Sequence, residues 1–155
     1  MWIPPEERNP VVFHHPTRES IGYFGAVRIR DGKFVFKLER ESFNGMTFYS
    51  FLKYLRMITA GCRRKVILIL DNVKYHYALL HKSWREACEE RFQLEFLPPY
   101  SPELNVIERV WWLTRRHNTH NKYFSSLIDL EIDIETQFFE WRNGSQELMS
   151  LCAIS

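Results

Sequence analysis

Cysteine is scarce: Cys62, Cys88 and Cys152 are the only three in 155 residues, odd in number and widely spaced. No CxxC pair occurs, so neither a disulfide framework nor a thiolate zinc site is expected. A reduced, cytosolic compartment fits that usage. Met1-Trp2-Ile3-Pro4-Pro5-Glu6-Glu7 lacks the basic and apolar regions of a signal peptide. No apolar run approaches the roughly 20 residues of a membrane span, so no membrane association is expected. A surplus of charge of either sign is also nearly missing. The formal charge of +2 does not by itself announce a nucleic-acid partner. Internal repeats, low-complexity tracts and linkers are absent. The first twenty residues show no pair of amphipathic helices, so no helix-turn-helix module is expected ahead of the core.

What is present is apolar. Hydrophobic residues make up 45% and aromatics 15%, enough for one domain with a substantial core. Residues 1–20 read as loop around a short strand at Val11-Val12-Phe13. Tyr23 to Arg30 reads as a strand with Val27 and Ile29 on one face, and Asp31-Gly32 as a two-residue hairpin turn. In the return strand Phe34, Phe36 and Leu38 alternate with Lys33, Lys37 and Glu39 around Val35, so it is half buried. Ser42 or Asn44 caps a helix to about Thr59, with Phe48, Leu52, Leu55 and Ile58 as its apolar stripe and Gly61 as its stop. Val66 to Leu70 is apolar at every position, as in a strand covered on both faces. Tyr77 to Phe92 reads as a helix with Leu80, Trp84, Ala87 and Cys88 on one face. Leu94 to Leu97 is a short strand ended by Pro98-Pro99. Asn105 to His117 is a helix with Val106, Val110 and Leu113 inward, and Ser126 to Trp141 is a last helix with Leu127, Leu130, Ile134, Phe138 and Trp141 in register. The tail after Asn143-Gly144 carries no signal. Antiparallel strands followed by helix-connected parallel strands predict an α/β fold, a mixed sheet flanked by helices.

Two carboxylates stand out. Asp71 leaves the most apolar run of the chain, Val66-Ile67-Leu68-Ile69-Leu70, and open α/β sheets gather their sites beyond the carboxyl ends of strands. An Asp there also suits a turn cap. Glu108 opens a helix beyond the stiff segment Pro98-Pro99-Tyr100-Ser101-Pro102, although Asn105-Val106-Ile107-Glu108 also fits a capping box. Hard cations such as Mg²⁺ prefer carboxylate oxygens and leave room for phosphate oxygens. Two such ions roughly 4 Å apart suit phosphodiester cleavage or joining, and a third carboxylate is then wanted. Asn72 can orient Asp71 or contact a phosphate, and His76 can donate to a phosphate or shuttle a proton, or simply fill the turn. Trp112 and Arg115 share roughly a face with Glu108. Arg115 and Arg116 can bind phosphates and Trp112 can stack on an unpaired base, whereas Trp111 is the better candidate for burial. The clusters Arg63-Arg64-Lys65 and Arg115-Arg116-His117 are equally readable as solvated surface.

These residues resemble the catalytic domain of a DDE transposase, in the bacterial insertion-sequence branch of the mariner-like superfamily. Leu70-Asp71-Asn72 with His76 resembles the segment around the second catalytic Asp. Pro98-Pro99-Tyr100-Ser101-Pro102-Glu103-Leu104-Asn105 leading to Glu108 resembles the segment of the catalytic Glu, and Arg109-Val110-Trp111 continues that helix. His117-Asn118 through Asn121-Lys122-Tyr123-Phe124 resembles the segment just beyond. The separation, 108 − 71 = 37 positions, is of the family's size. The resemblance runs from Trp2 to about Trp141. It implies an RNase H-like fold, Asp71 and Glu108 as metal ligands, Mg²⁺ or Mn²⁺ as cofactor, and DNA cleavage and strand transfer at element ends.

Two departures from the family pattern stand out. Val106 replaces a common proline at the first helical turn, which the helix tolerates. The first catalytic Asp has no counterpart. In the family it lies upstream of a segment resembling Trp2-Ile3-Pro4, and Asp31 sits in the hairpin turn instead. The resemblance therefore implies a partial DDE domain over residues 1–155, without its first, central strand and without a helix-turn-helix domain. It would be a split-frame product or a decayed remnant, inactive alone and prone to self-association. Its expected partners are transposon-end and target DNA, further copies of itself, or a transposase part encoded upstream. Its expected place is the bacterial cytoplasm, at the nucleoid when on DNA. Two other readings stay open: an inactive DNA-binding or oligomerising fragment that modulates a full-length transposase, and another RNase H-like endonuclease.

Overall fold

A computed structural model describes residues 20–153 and the backbone of Val11–Phe13. The Trp2-Ile3-Pro4 segment and the loop expected over most of residues 1–20 lie outside the described residues. The chain divides into two compact units, residues 1–40 with 106–155, and residues 41–105.

The first unit is built on an antiparallel sheet in the order β1 (Val11–Phe13), β2 (Ser20–Arg28), β3 (Lys33–Glu39). β2 and β3 pair from Gly22↔Glu39 to Arg28↔Lys33. The connection differs from the expected two-residue turn: it is a four-residue loop, and Ile29 lies in it rather than beside Val27 on the strand. Only Gly32 takes a positive φ, +67°, and its N–H bonds the Arg28 carbonyl at 2.8 Å. Asp31 has no positive φ, and its carboxylate is held by the Arg28 guanidinium, with Nε to Oδ1 at 2.8 Å.

The inward side chains of this sheet meet three helices. α3 (Val106–Thr114) contributes Val110, Trp111 and Leu113, and α4 (Leu127–Trp141) contributes Leu130, Ile134, Phe138 and Trp141. The α4 stripe is the one its periodicity predicts, and Ser126 caps it by accepting the Asp129 N–H at 3.1 Å. Phe34 is fully buried at the centre, 4.8 Å from Phe138 and edge-on to Trp111 at 5.8 Å and Trp141 at 5.9 Å. The uninformative tail forms α5 (Gln146–Leu151), capped by Ser145 and anchored by buried Leu148 and Cys152. Its start is clasped to the hairpin, since the Ser145 N–H bonds the Asp31 carbonyl at 3.1 Å.

The second unit begins with α1 (Gly45–Ile58). Asn44 caps it, accepting from Met46 N at 2.9 Å and Thr47 N at 3.0 Å, while Thr47 Oγ1 accepts from Asn44 N at 3.0 Å. Phe48, Phe51, Leu52 and Leu55 are buried, whereas Ile58, the last residue of the helix, is exposed. Gly61 does not stop the helix. It closes at Thr59, whose hydroxyl bonds the Leu55 carbonyl at 2.8 Å.

β4 (Val66–Leu70) pairs in parallel with β5 (Phe92–Phe96), in register Val66↔Phe92 to Leu70↔Phe96. The expected antiparallel and parallel pairings thus both form, in two sheets among the described residues. β4 is not covered on both faces: Ile67 and Ile69 are 55% and 48% exposed, and Val66, Leu68 and Leu70 take the inner side. An all-apolar run reports side-chain chemistry, not the number of layers laid over it. The expected Tyr77–Phe92 helix is also shorter. Two 3₁₀ turns, Lys74–Tyr77 and Leu79–His81, precede α2 (Lys82–Cys88), because Ala78 between them is extended at ψ 135°. Fully buried His81 takes the inner position expected for Leu80, which is exposed together with Leu79 and Ala87. The three cysteines are free thiols, and no helix among the described residues is long and apolar enough to cross a membrane.

Candidate functional site

The carboxyl ends of β4 and β5 are fastened together where Asp71 emerges. The Leu97 N–H donates to the Leu70 carbonyl at 2.8 Å. The Asn72 side-chain amide donates to the Leu97 carbonyl, and its oxygen accepts the Tyr77 hydroxyl. The Tyr77 ring stacks on Phe96 with centroids 4.2 Å apart. Asn72 therefore spends both ends of its amide on holding the two strand ends, and Tyr77 is a partner that the sequence did not reveal.

Asp71 is half-buried on this platform. His76, in the following 3₁₀ turn, is buried against Phe48 at 4.4 Å and Tyr75 at 4.7 Å. Its Nδ1 bonds the Asp71 carbonyl oxygen at 2.9 Å and stands 3.0 Å from the carboxylate Oδ1. A carbonyl only accepts, so Nδ1 carries the hydrogen. That hydrogen is aimed at the carbonyl, and Oδ1 is left buried without a well-directed donor. Nδ1 thus lies within 3.0 Å of both these oxygens of Asp71, closest to the carbonyl. The nearby His76 N–H is the main cause that holds the Asp71 carboxyl below its usual range, against the burial that would raise it. Burial first, and then the Asp71 charge, push the Tyr75 hydroxyl up to about 12. His81, beneath, bonds the Tyr75 carbonyl through Nε2 at 3.0 Å, and burial pushes its pKa down.

Beyond β5 the chain turns through Pro98-Pro99-Tyr100-Ser101 and a 3₁₀ turn at Pro102–Leu104. Val106 opens α3, and Glu108 lies half-buried in the first turn. There the partial positive charge of a helix start favours a carboxylate.

On α3, Trp111 is 7% exposed and packed into the core, whereas Trp112 is 52% exposed with the Arg116 guanidinium 5.3 Å over its ring. The expected helix to His117 gives way after Thr114 to a π-helical turn, Arg115–Thr119. The Arg115 carbonyl accepts from His120 N and Thr119 Oγ1, each at 2.9 Å. The widened turn lets buried Asn118 donate to the Asp133 carbonyl at 3.1 Å. Arg115 is half-buried and Arg116 exposed. His117 faces Gln137 and Glu147, each at 3.3 Å. Arg63, Arg64 and Lys65 are exposed in the turn before β4.

Asp71, Asn72 and His76 thus come together within the second unit, and Glu108, Trp112, Arg115 and Arg116 follow one another along α3 and its π-turn in the first. Among the described residues no group of three or more His, Cys, Asp and Glu is gathered as a metal cluster.

A family model described as DDE superfamily endonuclease matches residues 1–131. The chain belongs to that family. The fold of this DDE family member agrees with two solved structures of a Mos1 transposase catalytic domain, described with raltegravir and Mg or Mn. Their TM-scores are 0.66 and 0.63, at 16% and 18% identity, covering 92% of this chain and 76% and 75% of theirs. That likeness makes the fold α/β and RNase H-like. An uncharacterized protein, y4pE/y4sA of Sinorhizobium fredii (strain NBRC 101917 / NGR234), is 36% identical over 64 residues, 41% of this chain and 44% of that protein. The match spans under half the length of that curated relative.

Proposed function

We propose that this DDE family member supplies two metal ligands, Asp71 and Glu108, of a transposase catalytic domain that cuts and rejoins DNA at the ends of an insertion sequence. The observation that carries the reading is the state of Asp71. It leaves the carboxyl end of a parallel strand as a carboxylate, with one oxygen buried and lacking a well-directed donor. An acceptor-only oxygen left over in this way fits a hard divalent cation, Mg²⁺ or Mn²⁺, and the metals named with the Mos1 domain support the same choice. When bound, such a cation supplies Lewis-acid stabilisation to a reacting phosphodiester.

The rest is done by the chain's own groups. His76 keeps Asp71 ionised and fixes its backbone through the carbonyl. Asn72 holds the platform rigid and stands beside the DNA path. Arg115 and Arg116 bind phosphates, and Trp112 offers an exposed ring to a base. The charge of two cations calls for a third carboxylate, and none of the residues named above supplies it. The 155 residues alone therefore bind metal and DNA without cleaving, in the cytoplasm, self-associated or joined to a further transposase segment. The exposed Trp112–Arg116 pair also suits a second reading, a binding-only fragment that modulates a complete transposase.

Mn²⁺ titration of the whole chain, followed by calorimetry, tests the metal reading. Removing even an outer-shell partner of a metal costs about tenfold in affinity, so Asp71→Asn and Glu108→Gln are each expected to weaken Mn²⁺ at least that much. Unchanged affinity in both variants overturns the assignment. Incubation with element-end DNA and Mn²⁺ is expected to give no nicking, and clear nicking would show that the chain completes its own site. The binding-only reading requires salt-sensitive DNA binding that persists in both variants.

A further inference from the structure

Tyr100 has a backbone and a side chain that the fold itself does not explain. Its φ is +59°, and the only other described non-glycine residue with positive φ is Asn121. Asparagine tolerates that region through its short polar side chain, whereas a tyrosine there is strained. Pro99 and Tyr100 form the centre of a turn, and Tyr100 stands where a type II turn normally places glycine or asparagine. The backbone on either side of Tyr100 is restricted. Pro99 fixes its own φ, and Pro102 keeps Ser101 out of the helical region, at φ −120° and ψ 58°.

Strain of this kind persists where something else is gained. Burial offers no gain here, since the Tyr100 side chain is 101% exposed. What the turn achieves is presentation: a flat aromatic ring held in solvent on a stiff stem. The stem starts three residues earlier at Leu97, whose N–H and carbonyl are tied to Leu70 and Asn72. The ring is thus carried by the strand ends that also present Asp71. A tyrosine has only two side-chain torsions to fix, so little entropy is lost when it engages a ligand. The ligand class that suits an isolated, exposed ring is another flat ring.

We propose that Tyr100 is a stacking residue for an unpaired nucleobase next to the strand end that bears Asp71. This rests on the DNA reading above and adds a second base contact to the one given there to Trp112.

The test is fluorescence anisotropy of the whole chain with a labelled single-stranded oligonucleotide and the same strand made abasic. The wild type is expected to prefer the strand with bases. Tyr100→Ala and Tyr100→Gly are expected to weaken binding to it roughly 5- to 140-fold while leaving the abasic strand nearly unchanged. Tyr100→Phe should retain the preference. Tyr100→Gly should melt at the wild-type temperature or above, which separates lost stacking from lost folding. Equal binding by Tyr100→Ala and wild type overturns the stacking role, as does an equal loss on both strands, and the DNA reading then stands. If the wild type binds neither strand, the DNA reading fails and this role fails with it.

Discussion

The indole of Trp111 fills the space that a side chain on Gly25 would need. A Cβ at position 25 would meet Trp111 Cη2 at 2.5 Å and Cζ2 at 2.8 Å, and Phe34 Cζ at 2.9 Å. Helix α3 is seated on β2 through this close approach, and α3 carries Glu108. Gly25→Ala is expected to destabilise the protein by about 1–3 kcal/mol, as overpacking does. Urea unfolding followed by tryptophan fluorescence would show a lower midpoint at an unchanged slope. A midpoint equal to the wild type would mean that the helix can shift at no cost.

Glu135 on α4 accepts the Tyr23 hydroxyl at 3.4 Å. Burial first, and then the charge of Glu131, raise its pKa. The folded state therefore disfavours the ionised form. The penalty is absent below the ordinary value of 4.5, grows as the pH rises towards the raised folded pKa, and is complete above it. Glu135→Gln keeps an acceptor for Tyr23 and removes the charge. The variant is expected to be more stable than wild type at pH 7, by a few tenths of a kcal/mol after solvent screening, and equal to it at pH 4. Melting curves at the two pH values check the sign.

Asp31 behaves in the opposite way. The Arg28 side chain bonded to its carboxylate lowers its pKa from 3.8 to about 2. The resulting stabilisation is fully present above pH 3.8 and is lost as the pH falls through about 2. Both side chains are solvent-exposed enough for screening, so Asp31→Asn is expected to cost only about 0.5 kcal/mol at pH 7. The gap should narrow steeply towards pH 2 and close below it. A gap that persists there would assign the effect to the loop backbone instead of the ion pair.

Asn44 and Thr47 satisfy each other's backbone N–H groups at the start of α1. Asn44→Ala removes that arrangement and is expected to cost about 1 kcal/mol. Asn44→Gly should cost only a few tenths. Chemical denaturation of the two variants side by side separates the lost cap from any general effect of the position.

The elements that could be read from the residues are those whose burial has a simple period. The α4 stripe Leu130, Ile134, Phe138 and Trp141 is buried as its spacing predicts, and so is Phe34 in the hairpin. Periodicity misled where a polar side chain took an inner position. His81 is buried while Leu79 and Leu80 are exposed, so the expected helix broke into two turns and a short helix. The apolar run of β4 likewise could not show that Ile67 and Ile69 face outward. At the candidate site, the position of Asp71 at the end of β4 was legible. The contacts around it were not, because Tyr77–Asn72 and His76–Asp71 depend on the geometry of a 3₁₀ turn that has no apolar signature. The only trace of the Tyr100 backbone was its setting between Pro99 and Pro102.

The division of the chain has a consequence for its synthesis. Residues 41–105 form their unit from one uninterrupted stretch, whereas the other unit needs residues on both sides of it. On the ribosome, the platform carrying Asp71 can consolidate as soon as it emerges. The hairpin made before it must wait, its aromatic face uncovered, until α3 and α4 have been translated. That interval is when a chaperone would find most to hold.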